Sequence, residues 1–230
     1  MDPTHVSGRT SSVRRIVVVA LVLAAFSAVA GTGEGARLVG TRRADVLRGT
    51  PAGDGIHGRA GADRLYGYGG RDGLWGELGA DLLDGGAGND LLYGGRGGDR
   101  IAGRDGNDFA DGGLGRDHIF GGHGNDQLQG GPGSDRIVGG PGRDALIGNG
   151  GADLLDARDG RSRAPADCSL PCYRPDLPSG ADWVQGGGGD DRILTRDGRI
   201  DGVECNGGYD VVIADRFDRV SPFDCERVLR

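Results

Sequence analysis

An aspartate recurs at every ninth residue from Asp45 to Asp153, thirteen in succession without an insertion or deletion. Each is the sixth residue of a nonapeptide that begins with Gly; the fourth residue is Gly except in the first two copies, where Arg43 and Ala52 stand. The pattern is plainest from Gly85: G-G-A-G-N-D-L-L-Y, then G-G-R-G-G-D-R-I-A. Carboxylates this regular suggest a lattice for cations rather than an acid–base dyad. If the chain coils so that alternate repeats stack, sixth-position carboxylates lie one coil apart. Like charges about 5 Å apart at an effective dielectric near 20 repel by roughly 3 kcal/mol per pair. Such a column needs counterions. Ca²⁺ suits it, being hard, tolerant of six to eight oxygens and content with carbonyls beside carboxylates; Mg²⁺ demands a stricter octahedron. Zinc would want His or Cys, and the repeats contain no Cys.

The elements that must hold these carboxylates follow from the same period. Gly at positions one and four permits positive φ, so the first six residues are expected to turn tightly. Positions seven to nine then form a very short strand whose alternation sends the eighth residue inward. That residue is Leu or Ile except at Ala110. Two nonapeptides make one coil of eighteen residues, and coils stack at about 4.8 Å. The expected product is a narrow parallel β-solenoid. One ladder holds Leu65, Leu83, Ile101, Ile119 and Ile137; the other holds Leu74, Leu92, Leu128 and Leu146, thin at Ala110.

The repeat resembles the G-G-x-G-x-D-x-U-x nonapeptide of the RTX, or haemolysin-type, calcium-binding family. The resemblance implies an all-β fold, a right-handed parallel β-roll with several Ca²⁺ ions held between turns of successive coils. Carried onto this chain, the carboxylate ligands would be Asp54, Asp63, Asp72, Asp81, Asp90, Asp99, Asp108, Asp117, Asp126, Asp135, Asp144, Asp153 and Asp191. Turn backbone would add carbonyls at Gly61, Gly70, Gly79, Gly85, Gly88, Gly94, Gly97, Gly103 and Gly106. It would continue at Gly112, Gly115, Gly121, Gly124, Gly130, Gly133, Gly139 and Gly142. Asp45 and Asp54 lack a complete glycine turn, as befits a terminal repeat.

Composition excludes rivals. Glycine accounts for 50 of 230 residues and apolar residues for 36%, which without the period would suggest disorder. Collagen is excluded because Gly does not recur at every third place. All 27 basic residues are Arg, and the net charge of −7 speaks against a nucleic-acid partner and favours cations.

Arg14 and Arg15 precede an apolar run that ends in Ala28-Val29-Ala30, which reads as a signal peptide cleaved after Ala30. The expected organisation is a signal peptide (1–30), a lead (31–39), thirteen repeats (40–156), a Pro-rich loop with Cys168 and Cys172 (157–179), and degenerate repeats with a cap (180–230). No membrane span is expected after cleavage, and the address is extracellular or cell envelope. Four Cys, all beyond the repeats, fit an oxidising compartment. Three pairings are possible; Cys168–Cys172 with Cys205–Cys225 is preferred, and a C-x-x-x-C metal or redox site is the alternative for the first pair. In the tail, Asp182, Asp191, Asp201, Asp210 and Asp218 each precede an apolar residue by two places, at an interval wandering between eight and ten. Val203, Val212, Ile213 and Val220 are expected to carry the core onward with fewer calcium sites, under a disulfide-stapled cap.

Catalytic candidates are thin. His57, His118 and His123 fall at different repeat positions, and H-E-x-x-H and G-x-S-x-G are absent. Outward residues include Tyr66, Trp75, Tyr93 and Phe120, of which Trp75 and Tyr93 would stack one coil apart as pleat residues or as a sugar platform. The expectation is a non-enzymatic, calcium-folded exported protein with a structural or adhesive role and an unidentified glycan or protein partner. The alternative is a carbohydrate-binding module or accessory of an extracellular carbohydrate-active enzyme.

Overall fold

The computed structural model describes residues 35–158, 182–196, 201–216, 218–221 and 225–230. Among these residues are two parallel sheets of ten strands each and no helix. One sheet begins with Arg37–Val39, Gly55–Ala60 and Gly73–Leu78 and ends with Arg219–Val220. The other takes the intervening strands, from Val46–Arg48, Arg64–Gly69 and Leu82–Ala87 to Arg227–Leu229. Leu65 pairs with Leu83 and Leu74 with Leu92, so each coil holds two nonapeptides. The molecule is a parallel β-solenoid.

Its core is the pair of ladders that the eighth positions dictate. Leu65, Leu83 and Ile137 are fully buried on one side, with Ile101 and Ile119 only 2% exposed; Leu74, Leu92 and Leu146 face them fully buried. Ala110 lies between Leu92 and Leu128, the narrow point of its ladder. No three-residue strand hides enough apolar surface to fold alone, so the ladder stabilises the roll only as a whole.

Two local expectations are corrected. Strands of the main roll mostly run six residues, as in Arg64–Gly69 and Leu91–Arg96, and continue through position three of the next repeat. The turn proper is therefore confined to positions four to six. Positive φ falls at positions two and four (Tyr68 76°, Gly86 105°, Gly79 140°) and not at position one. Position one is glycine for want of space: a methyl on Gly67 would lie 2.2 Å from Oδ2 of Asp72 and 2.4 Å from the carbonyl oxygen of Gly85. At position four both demands meet, since Gly79 is left-handed and a methyl there would sit 1.6 Å from the Gly61 oxygen.

The tail stacks on the roll with altered spacing. Ala145 pairs with Trp183, and the backbone of Asp144 meets Asp182 38 residues on, so the ladder resumes in register beyond 159–181. Later offsets are 19, 17 and 16 residues. Val203 and Val212 are buried, and Val220 packs partly buried against them. Ile213 corrects the expectation: it stands at position nine, outside the core, and Cys205 and Ala214 at position one fill the interior instead. Cys205 is bonded to Cys225 across 20 residues. The expected signal peptide, the Pro-rich loop from 159 on and the Cys168–Cys172 bridge lie outside the described residues, while Ala157, expected to begin that loop, is buried in the core. Among the described residues no helix is long and apolar enough to cross a membrane.

Two outcomes follow from this packing. Gly94→Ala, whose methyl would meet Asp99 Oδ2 at 2.4 Å and the Gly112 oxygen at 2.6 Å, should cost about 3 kcal/mol in urea unfolding with Ca²⁺ present. Gly98→Ala, at position five where Ala62 and Ala80 already stand, should stay within about 0.5 kcal/mol. Reduction of Cys205–Cys225 should remove about 3 kcal/mol of loop constraint. Amide exchange should then quicken beyond residue 201 while residues 63–153 stay protected; uniform acceleration would refute the staple.

Candidate metal centre

The sixth-position aspartates form two columns, one along each edge of the roll, and they are buried. Asp63, Asp72, Asp81, Asp90, Asp99, Asp108, Asp117, Asp126, Asp135, Asp144, Asp153 and Asp191 are each no more than 2% exposed. In every one, Oδ1 accepts the backbone N–H of the aspartate one coil earlier: Asp81 from Asp63 at 2.7 Å, Asp99 from Asp81 at 2.7 Å, Asp117 from Asp99 at 2.7 Å. The carboxylates thus staple coil to coil, a role the spacing alone does not reveal.

The second oxygen has another fate. Oδ2 of Asp63, Asp72, Asp81, Asp90, Asp99, Asp108, Asp117, Asp126, Asp135, Asp153 and Asp191 is buried with no hydrogen-bond partner. It points into the space left by the missing side chain at position one, which a glycine carbonyl one coil on enters from the other side. A methyl on Gly85 would lie 2.4 Å from Asp90 Oδ2 and 2.9 Å from the Gly103 oxygen; on Gly103, 2.2 Å from Asp108 Oδ2 and 2.6 Å from the Gly121 oxygen. The carbonyls of Gly85, Gly94, Gly103, Gly112, Gly121, Gly130 and Gly139 all stand in this relation to an aspartate. The oxygens of Gly61, Gly70, Gly79, Gly88, Gly97, Gly106, Gly115 and Gly124 abut the position-four glycine of the next coil, up to Gly133 and Gly142.

A buried carboxylate oxygen left without a donor, beside a carbonyl that takes only a ladder N–H (Gly139 from Gly122 at 2.9 Å), is strongly disfavoured unless a proton or a cation intervenes. Burial is the largest influence on Asp72. It raises the carboxyl to about 7, against the lowering N–H bond from Asp54 and with the added repulsion of Asp90 and Asp54. Asp99, Asp108, Asp126, Asp135 and Asp191 are likewise raised to about 7, and Asp63 to about 6, burial leading in each. The donor set is all oxygen, half of it backbone, which fits Ca²⁺. Among the described residues no three His, Cys, Asp or Glu side chains gather at one point, so any site here is one or two carboxylates completed by carbonyls.

At the ends the same conflict is answered by hydroxyls. Asp45 Oδ2 accepts from the backbone N–H and the hydroxyl of Thr41, at 2.6 and 2.8 Å. Asp54 accepts from the Thr50 backbone and hydroxyl on one side and from the Ala36 N–H on the other. In the tail Asp218 Oδ2 takes the Thr195 hydroxyl at 2.7 Å, and Glu226 replaces aspartate as acceptor for the Asp210 N–H at 2.8 Å. Thr41 and Thr50 stand at position two of repeats one and two and Thr195 at position one of a tail repeat; the sequence places the first two in turns without showing that they cap a carboxylate. Asp182, Asp201 and Asp210 also continue the buried columns, with Asp182 and Asp201 joined at 3.0 Å.

The outward aromatics form a stack and not an open platform. His57 lies 4.4 Å from Trp75 with planes 8° apart, and Trp75 lies 6.1 Å from Tyr93 at 4°. Their faces are turned to one another. His57 Nδ1 also meets Glu77 at 3.2 Å.

The raised carboxyls set a pH dependence. A folded-state value above the unfolded 3.8 means that the metal-free roll is favoured when protonated; this stability is whole below about pH 4 and lost as pH rises through about 7. In chelator, the far-UV β-signal should be strongest near pH 4–5 and fade by pH 8, while apparent calcium affinity should climb over the same range. A chelated spectrum unchanged from pH 4 to 8 would contradict this electrostatic account.

Comparison with known families agrees with the geometry. A model of the RTX calcium-binding nonapeptide repeat matches in overlapping copies across residues 39–163 and again at 179–199. No curated protein matches the chain. With well over half of its length accounted for, the chain belongs to the RTX calcium-binding nonapeptide repeat family and is a calcium-binding repeat protein.

Proposed function

We propose that this is an exported bacterial protein whose roll closes on Ca²⁺ outside the cell and which acts there as a non-enzymatic structural or adhesive element. The observation that carries the reading is the column of buried, partnerless Oδ2 atoms facing glycine carbonyls. Bound Ca²⁺ would supply the positive charge that these acceptors need. Its carboxylate ligands would be Asp63, Asp72, Asp81, Asp90, Asp99, Asp108, Asp117, Asp126, Asp135, Asp144, Asp153 and Asp191. Asp54, with both oxygens already engaged, drops out of the set. In a calcium-poor cytoplasm the chain would stay open, which suits passage through a membrane.

The N-terminal charge-then-apolar pattern and the Cys205–Cys225 disulfide both favour an oxidising compartment. A non-enzymatic role is supported by the lack of a recognisable catalytic motif in the sequence. His57 is engaged by Trp75 and Glu77.

Circular dichroism of the mature chain at neutral pH should show little β-structure in chelator and a cooperative gain on adding Ca²⁺, with a midpoint of about 10⁻⁴–10⁻³ M. Asp99→Asn should lower calcium stoichiometry and raise the midpoint by about tenfold, or about 1.4 kcal/mol. Asp45→Asn, at the threonine-capped end, should change neither. A fully formed roll in excess chelator at neutral pH would overturn the proposal.

A further inference from the structure

The two outer faces of the solenoid differ in charge. On the sheet that contains Arg64–Gly69, position seven holds Arg64, Arg100, Arg136, Arg192 and Arg227, one on every second coil. Leu82, His118, Leu154 and Val211 fill the coils between. At about 4.8 Å per coil the arginines repeat every 9.6 Å or so, over about 38 Å in all. Arg64, Arg100, Arg192 and Arg227 are exposed, Arg136 is half-buried, and none makes an ion pair with a described residue. At positions seven and nine the opposite sheet carries arginine in its end strands, at Arg37 and Arg219, and none from Gly55 to Glu204.

The two acids at position nine of this face are already occupied. Asp84, on the same face, is held by Arg104 through two bonds of 2.8 and 2.6 Å, and Asp156 by Arg158 at 2.7 Å. The net charge of −7 misleads here. Residues 31–230 hold 33 acids and 24 arginines, and at least eighteen of those acids are buried aspartates, which leaves no more than fifteen acids for the surface.

We propose that this face binds an extended acidic polysaccharide carrying one carboxylate per disaccharide. The partner is argued from spacing and from what lies between the charges. One guanidinium per 9.6 Å or so matches the rise of a disaccharide, and guanidinium is the side chain suited to planar recognition of carboxylate. Leu82, Leu154, Tyr66 and Phe120, all half-buried on this face, offer apolar surface for sugar rings. Nucleic acid fits less well, since its phosphates recur every 3.4 Å or so along a strand. The proposal names the partner of the adhesive role above and rests on that reading.

The test uses the calcium-loaded mature chain and hyaluronate oligosaccharide, followed by calorimetry at low and moderate salt. Dextran, oligo-dT of equal charge and vesicles of anionic phospholipid serve as comparisons. Arg100→Leu/Arg136→Leu, which installs the residue found at Leu82 and Leu154 in the same column, should weaken hyaluronate binding at least tenfold and flatten its salt dependence. Arg96→Gln/Arg143→Gln, one at the end of a strand of the opposite sheet and one on a turn, should change it less than twofold. Circular dichroism in Ca²⁺ confirms that each variant folds. Equal losses for both pairs, no binding by the folded wild type, or tighter binding to oligo-dT or vesicles would each overturn the assignment. These failures leave the calcium-folding reading intact, whereas a wild type that does not fold on Ca²⁺ overturns that reading instead.

Discussion

Everything in this molecule is arranged around oxygens that face oxygens. Each repeat from the third onward contributes an aspartate whose Oδ1 is satisfied by the backbone one coil back and whose Oδ2 lies beside a glycine carbonyl. A chain folds into such an arrangement only if positive charge is delivered from outside the polypeptide. The glycines at position one exist to let the two acceptors approach, the Leu and Ile ladders to hold the coils while they do, and the left-handed residues at positions two and four to turn the chain back. Remove the cation or the proton, and the packing that follows from these features is opposed by its own charges.

The ends show the same constraint handled differently. A solenoid must stop, and its last coils have a neighbour on one side only. Thr41, Thr50 and Thr195 bring hydroxyl donors to aspartates that would otherwise need an ion. The last coils add a covalent bond between Cys205 and Cys225. Metal dependence is therefore concentrated in the middle, and the termini are closed by ordinary hydrogen bonds and a disulfide.

Most of the architecture was legible in the chain because a strict period leaves few alternatives. The eighth-position ladders and the eighteen-residue coil followed from spacing, and Cys205–Cys225 was the preferred member of three open pairings. What escaped were matters of direction. Glycine at position one looks like a turn residue in a string of letters, and only the neighbouring coil shows that its role is steric. Ile213 looks like core until its place at position nine leaves Ala214 and Cys205, at position one, to fill the interior. Trp75 and Tyr93 look like a platform until His57 completes a stack that covers their faces. In the metal columns the aspartates were plain, but the division of labour between Oδ1 and Oδ2 depends on an eighteen-residue contact that no local pattern encodes.

The return of the ladder to register after 38 residues bears on how such a chain lengthens and diversifies. Contacts run between coils, not along the sequence, so a splice at a coil's edge leaves the coils on either side with the partners they would have had anyway. Duplication of eighteen residues adds a storey, and an insertion between storeys adds an outbuilding. Neither requires compensating change elsewhere. The roll behaves as a mounting rail, on which sequence added between Arg158 and Asp182 costs loop closure alone.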